Sequence, residues 1–250
     1  MKFLVSRSIE VLRVLIEKEL FLRYRGTFLG LFWFILNPLL SILVYYLVFA
    51  VILKIGKDDY LNYLISGVLI WNFISSSIFM LTNSFINYAS FIKKLPINRI
   101  LIPLSLIIAN AIPYIILNLF AKILLLPSLK GLVFLLGAFI VIGIQVFFIG
   151  KLLGIFNSFV KDINYLVSFI LNLLFYLSPV VYYINLVPKN LTWIFFLNPL
   201  GVDVIIWHSI FLEEKVPFSY ILCFIIHTTI ITFVSIFFYK KLEKYLPEVL

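Results

Sequence analysis

Six apolar runs, each long enough to cross a bilayer, dominate the chain, and no soluble fold can hide them all. They are residues 29–53, 61–88, 100–126, 131–150, 163–183 and 217–239. A spanning helix needs about 20 predominantly apolar residues. Of the 250 residues, 64% are hydrophobic and 12% charged, against roughly half and a quarter in a soluble domain. Lipid is therefore the solvent for most of the surface. Helices satisfy their own backbone polar groups, so the expected fold is all-α and polytopic.

A seventh apolar stretch, 190–212, behaves differently. Asn198, Pro199 and Gly201 break it near the middle, and Asp203 and His208 follow. A straight crossing would bury Asp203 in lipid and leave a carbonyl unmet at Pro199. Two half-helices that dip in and return on the same side, over 184–212, avoid both costs. The basic residues support this choice. With six spans and a cytosolic N-terminus, 14 of the 20 lysines and arginines fall inside and 6 outside; a seventh span would make that 12 against 8. Basic residues collect on the cytosolic side, so six spans plus a hairpin is preferred. Both termini are then cytosolic. Short connections leave one domain over 1–250, with 1–25 as an N-terminal helix and 89–99 as an inner loop.

Residues 3–22 carry a helical rather than a continuous apolar pattern. Leu4, Ile9, Val11, Leu12, Leu15, Ile16 and Leu22 share one side, with Arg7, Glu10, Arg13 and Glu17 opposite. This reads as an amphipathic helix in the membrane interface. Glu10, Glu17 and Glu19 interrupt any signal-peptide core.

Most catalytic chemistry is missing. The nearest approach to a phosphate loop, Gly143 to Gly150-Lys151-Leu152, has the wrong spacing, lacks the hydroxyl residue and lies in a span. His208 and His227 have no cluster of further metal ligands around them. Asp58 and Asp59 read as a solvated loop, and no acidic pair forms a convincing acid and base. The net charge of +9 sits at the ends of apolar runs, which speaks for topology and against nucleic acid. Cys223, the single cysteine, permits no intrachain disulfide. No catalytic residue, metal site or cofactor is expected in this chain.

Aromatic residues are abundant, with 27 Phe, 14 Tyr and 4 Trp. Most suit lipid contact and interfacial belts. Tyr45 and Tyr46 fall inside the first run, and Tyr176, Tyr182 and Tyr183 bracket Ser178-Pro179 in the fifth. A ring offers the C–H face of a sugar an apolar platform, and a phenol can bond its hydroxyls. An interfacial belt also accounts for Tyr182 and Tyr183. In the loop "ASFIKKLPINR", Lys93, Lys94 and Arg99 are explained by topology, whereas Phe91, Ile92 and Leu95 beside Pro96 are not. An exposed apolar trio suits a short helix docked in a partner's groove, or a loop folded back on the bilayer.

Together these stretches resemble the membrane subunit of type-2 ABC exporters, in the branch that exports bacterial polysaccharides. The resemblance is carried by "RYRGTFLGLFWFILNPLL" at 23–40, "FIKKLPINR" at 91–99, "VKDINYLVSFILNLLFYLSPVVY" at 160–182, "LNPL" at 197–200 and "YKKLEKYLPEVL" at the close. Lys161 stands where arginine is more frequent, and Ser178 where threonine is. The resemblance implies a homodimer in the bacterial cytoplasmic membrane, joined on the cytosolic side by two separate ATPase subunits that bind the ATP and magnesium. It implies coupling to those subunits through residues 91–99, and an undecaprenyl-pyrophosphate-linked glycan as cargo. The glycan is expected to pass Tyr45, Tyr46, Tyr176, Tyr182 and Tyr183 in a channel between first and fifth spans. Two copies would pack their first and fifth spans around that channel, with Gly26, Gly30, Gly150 and Gly154 allowing close helix approach. Arg23 and Arg25 are positive-inside anchors, with a second possible role toward the carrier's pyrophosphate. Pro38 lies about 14 Å into the first span by helix rise. Teichoic acid or capsule export, a lipid or drug exporter, and a membrane enzyme on lipid-linked sugars are the rival readings.

Overall fold

The computed structural model describes residues 2–22, 28, 30–56, 59–94, 98–125 and 131–250, and all regular structure among them is helical. Helix α1 is Lys2–Leu22 and α2 is Trp33–Tyr46, which continues through Leu47–Ile52 as a π-helical stretch. Next come α3 (Tyr60–Thr82), the short α4 (Ser84–Asn87) and α5 (Ala89–Lys94), and α6 (Leu101–Leu125). Then follow α7 (Leu132–Phe159), α8 (Ile163–Leu177), α9 (Trp193–Leu197), α10 (Pro199–Phe211), α11 (Phe218–Leu242) and α12 (Leu246–Val249). The first span (Trp33–Ile52), α3, α6, α7 and α11 are long and apolar enough to cross a membrane.

Long-range contacts sort the connections to two ends of the bundle. At one, the terminal end, Tyr88 donates to Glu19 of α1, Arg99 Nη1 donates to Glu243 O at 2.6 Å, and α12 packs on α5. At the other, the hairpin end, Lys122 Nζ donates to Phe211 O at 2.6 Å and Tyr60 Oη to Val181 O at 2.7 Å. The α9–α10 pair is bent by 105° at Asn198. Its tip, Pro199 and Leu200, reaches the depth of Ile78, Leu171 and Ile231, while Glu213 has returned to the hairpin end beside Lys122. Asn198 is extended, as a residue before proline prefers, and Pro199 opens α10 where no backbone donor is needed. At Gly201 a Cβ would lie 2.8 Å from the Asn198 amide, which instead folds inward to donate to Ser178 Oγ at 2.9 Å. The re-entrant hairpin expected from the sequence is thus built on one Asn-Pro-Leu-Gly turn.

The core is the seam of α3, α7 and α10. Phe73, Ile74, Ile78, Leu81, Val146, Val204 and Trp207 are fully enclosed there. A Cβ on Gly150 would meet Leu81 Cβ at 2.5 Å, and one on Gly154 would meet Leu81 O at 2.5 Å. These two glycines therefore let α7 approach α3 within one chain, a different role from the packing of copies expected above. Gly30 has nothing within 4 Å of its Cβ position, and Gly26 lies outside the described residues.

Several expectations are corrected. The fifth span was expected to be helical to 183, but α8 ends at Leu177. Pro179 forces Ser178 into an extended conformation, and the freed carbonyls of Pro179, Val181 and Tyr182 are taken by the phenols of Tyr60 and Tyr63. The fourth span runs on to Phe159, so Lys151 is no end-of-span marker; it is buried beneath Phe147, Phe148 and Tyr239. Lys122, one of the six basic residues counted on the outer side, is wholly buried within α6 and paired with Glu213 at 2.9 Å. In α1, Leu15 is buried and Val11 and Leu12 pack on the core, but Ile9 is 61% exposed. The packed side of α1 is turned toward α6, with the Arg13–Glu17 pair on the open side. Cys223 is a free thiol and only partly buried.

Candidate functional site

A groove at mid-depth separates the first span from α8, with α3 as its floor. Asn37 and Ser41 of α2 face Asn72, Ser75 and Ser76 of α3, and Ser168 and Asn172 of α8 close the far side. Trp33, Phe34, Phe79 and Tyr114 supply ring surface, and the groove encloses about 520 Å³. Its described lining carries amides and hydroxyls but no charge. Several of these groups are held by their own helices. Ser41 donates to Asn37 O at 3.0 Å, and Ser75 to Trp71 O at 2.8 Å. Asn110 of α6 donates to Ser76 at 2.9 Å and Ser77 at 2.7 Å, pinning the floor. Polar side chains at this depth belong against protein or a water-filled passage. Neutral donors and acceptors beside aromatic faces can bind a hydroxyl-rich, uncharged molecule.

The groove opens on a face that no element among the described residues covers. In α8, Val167, Leu171 and Phe175 pack inward at helical spacing, while Tyr165, Phe169 and Tyr176 point out, at 75%, 67% and 64% exposure. The channel tyrosines expected from the sequence fall into two groups of ring contacts. Tyr45 stacks on Phe175 (5.2 Å between ring centroids), and Phe175 in turn meets Tyr176 at 5.1 Å. Tyr46 stands 6.4 Å from Tyr60, which meets Tyr183 at 6.0 Å. Tyr182 donates to Tyr176 O at 3.0 Å, linking the groups. Tyr45 is half-buried, whereas Tyr46 and Tyr176 are open.

At the terminal end, the segment expected to couple to a partner is a short helix, α5, rather than a loop. Phe91 is partly buried and Lys93 and Lys94 are exposed. Ile92 was expected to be exposed and is not: it is 5% accessible and belongs to the core. Leu95 and Pro96 lie outside the described residues, as do Arg23 and Arg25. The helix is held from two directions. Lys18 of α1 places its ammonium 4.4 Å from the Tyr88 ring and 4.6 Å from that of Phe91, a cation–π contact. The Tyr88 phenol donates to Glu19; burial first, then that carboxylate, raises its pKa, so it stays a donor. From below, α12 packs on α5 and fully buries Leu246. Arg99 joins the same platform through Glu243.

Two buried polar sets hold the hairpin. Gln145 of α7 donates to both Asp203 oxygens, at 3.0 and 2.8 Å, and accepts from Thr228 of α11. His208 lies 2.8 Å from Ser66 Oγ and 3.2 Å from Pro179 O. The carbonyl can only accept, so Nε2 carries the proton and Nδ1 is free to accept. Ser66 is wholly enclosed, which removes it from any hydrolytic role despite the short distance.

The sequence reading missed the groove. Its signal was present as isolated polar residues inside apolar runs at one-turn spacing: Asn37 and Ser41, Asn72 and Ser76, Ser168 and Asn172. Such pairs fall on one face of a helix, but nothing in one sequence says that three faces converge.

Comparison with known proteins identifies a family. The family model described as "ABC-2 type transporter" matches residues 10–202. Two proteins of Klebsiella pneumoniae, each named O-antigen export system permease protein RfbA, are 30% and 31% identical, covering 100% of this chain and 98% of their own length. A protein of Myxococcus xanthus with the same name is 26% identical over 81% of this chain. The match spans the first span, the groove and the hairpin tip, and the chain belongs to the ABC-2 type transporter family as a multi-pass membrane permease.

Proposed function

We propose that this permease exports a polysaccharide of the O-antigen kind, carried on a polyprenyl pyrophosphate lipid, across the bacterial cytoplasmic membrane. The observation that carries the reading is the uncharged amide and hydroxyl groove opening on an unpartnered face. A second copy of the chain set against that face converts an open groove into an enclosed passage. Tyr46 and Tyr176 then stand along its wall, where a sugar's C–H face can slide on a ring without being held. The names of the relatives support the same cargo. A pocket for a detergent-like drug or a simple lipid would instead be apolar and open sideways to the bilayer.

In this reading the terminal end is cytosolic, as the basic residues favour. Two ATPase subunits dock against α5, and the exposed Lys93 and Lys94 meet them. Lys18 and Glu19 tie α5 to α1, while α12 backs it, so a push on α5 moves the N-terminal helix with it. ATP is bound in those subunits. Arg23 and Arg25 sit in the sequence just before the first span, suited to the carrier's pyrophosphate.

The test is export of lipid-linked glycan by the complex in proteoliposomes. Replacing Tyr46 and Tyr176 with alanine, together with Asn172→Leu, is expected to lower export at least about tenfold, the effect of roughly 1.4 kcal/mol on the transport barrier. Assembly and basal ATP hydrolysis stay as they were. Full export by the triple variant overturns the conduit.

A further inference from the structure

A second cavity, of about 480 Å³, lies at the hairpin end among the start of α3, the segment after Ser178, and α10. That size falls within the roughly 300–1,000 Å³ of small-molecule sites. Its floor is rigid. The Tyr63 ring lies flat on His208, 3.8 Å between centroids and 6° between planes. The single proton of the Tyr63 phenol is shared between the carbonyls of Pro179 at 2.6 Å and Tyr182 at 2.8 Å, so the ring cannot turn without giving up that contact. One wall is Tyr183, whose ring sits 4.4 Å from Tyr63 and 6.0 Å from Tyr60. Through Tyr60 the aromatic series runs on to Tyr46 of the first span, 6.4 Å away. The cavity is thus joined by rings to the face proposed above as a conduit.

The rim is made of acceptors. Asp59 and Glu214 bring carboxylates, and Asn62 and Asn185 bring amides, with no lysine or arginine among the described lining residues. The backbone separates the two adjacent glutamates. Glu213 takes a left-handed conformation (φ 63°), closed by the Glu214 amide donating to Ser209 O at 2.8 Å. Such a turn is uncommon for a residue other than glycine. It sends Glu213 to Lys122 and leaves Glu214 over the cavity. Among the described residues neither Asp59 nor Glu214 is in a salt bridge. No group of three metal-ligating side chains occurs among the described residues, which turns the reading from a cation toward an organic ligand.

We infer that this cavity is a saccharide subsite, accepting neutral or amine-bearing sugar units and rejecting anionic ones. The inference rests on the polysaccharide reading above and narrows its cargo. Tyr183 offers the platform, the carboxylates and amide oxygens accept from sugar hydroxyls, and the asparagine amides donate to ring and hydroxyl oxygens. Two like charges on a partly enclosed rim repel a uronate or phosphate and attract an ammonium. A glycan of uncharged or amino sugars can pause here as it emerges; a phosphate-rich polymer cannot.

Saturation-transfer NMR on the permease–ATPase complex in nanodiscs tests this with glucosamine, N-acetylglucosamine and glucuronate as probes. Glucosamine and N-acetylglucosamine are expected to bind, with glucosamine preferred over glucuronate by about tenfold, the lower range for a cleft lined by one sign of charge. Asp59→Asn with Glu214→Gln, on the exposed rim, removes that preference and keeps N-acetylglucosamine binding. Tyr183→Leu weakens all binding, and Tyr183→Phe restores it. Equal binding of glucuronate and glucosamine by the unaltered complex overturns the inference, as does binding that ignores Tyr183→Leu. Glycan export is followed in parallel. Export without any sugar binding here ends the subsite alone, whereas binding here without export ends the conduit reading and leaves the subsite.

Discussion

The first span and α3 are both apolar enough to cross a membrane, yet they live in different surroundings. Within the chain, 67% of the apolar window of α3 is buried, against 11% for the first span. α3 touches α2, α6, α7, α8 and α10, and those neighbours leave no room at its glycine. Gly67 shows how tightly: a Cβ there would lie 2.3 Å from Val180 O. The first span presents Leu39, Leu43, Leu47 and Val51 outward, all about half exposed or more. Hydropathy states only that lipid or protein must cover a helix. It does not say which, and the difference divides the molecule into a scaffold and a working face. Substitutions on the scaffold are expected to act on stability, and those on the face on assembly and transport.

The largest effect is expected at Gly154, where α7 meets the Leu81 carbonyl. Gly154→Leu puts a Cβ 2.5 Å from that oxygen, on backbone that cannot give way cheaply. Overpacking of this kind costs about 1–3 kcal/mol and occasionally more. A sharp fall in the monodisperse fraction after mild heating in detergent is the expected result; unchanged thermal stability would break the division into scaffold and face. A smaller and more telling effect is expected at Gln145. Gln145→Leu strips the enclosed Asp203 of its side-chain partner and should destabilise by about 1–3 kcal/mol, while Gln145→Leu with Asp203→Leu returns most of the loss. A double variant as unstable as the single one would mean that Asp203 holds the hairpin in some other way.

How much of this was legible follows from what each signal depends on. Span lengths and the hairpin were readable because they rest on local chemistry: apolar runs, and one proline beside an asparagine. The end of α8 was readable in principle from Pro179, but the extended segment after it is stable only because Tyr60, Tyr63 and His208 reach its carbonyls from more than a hundred residues or some thirty residues away in sequence. Lys122 and Lys151 looked like topology markers because a lysine's partner cannot be read from its neighbours. Of the expected tyrosines, Tyr46 and Tyr176 are exposed, whereas Tyr45, Tyr182 and Tyr183 are partly buried. The Asn and Ser groove was missed because its residues come from four helices, each offering only one to three of them. Ile92 was misplaced for the same reason, since α5 turns it into a core that the sequence of the segment does not contain.

The smallest change in stability is expected at Tyr176, and it sharpens the comparison most. The side chain is 64% exposed, its ring touches Phe175 edge-on, and its phenol has no part in the hairpin staples. Surface substitutions of this kind usually stay within about 0.5 kcal/mol. Tyr176→Ala should therefore leave the thermal stability of the purified permease unchanged, while its export rate falls. The backbone carbonyl of Tyr176, which accepts from Tyr182, survives the substitution, so the segment after Ser178 keeps its anchor. Measuring both quantities on one preparation separates the two roles. A loss of stability comparable to Gly154→Leu would place Tyr176 in the scaffold after all, and the exposed stripe of α8 would lose its claim to be a working face.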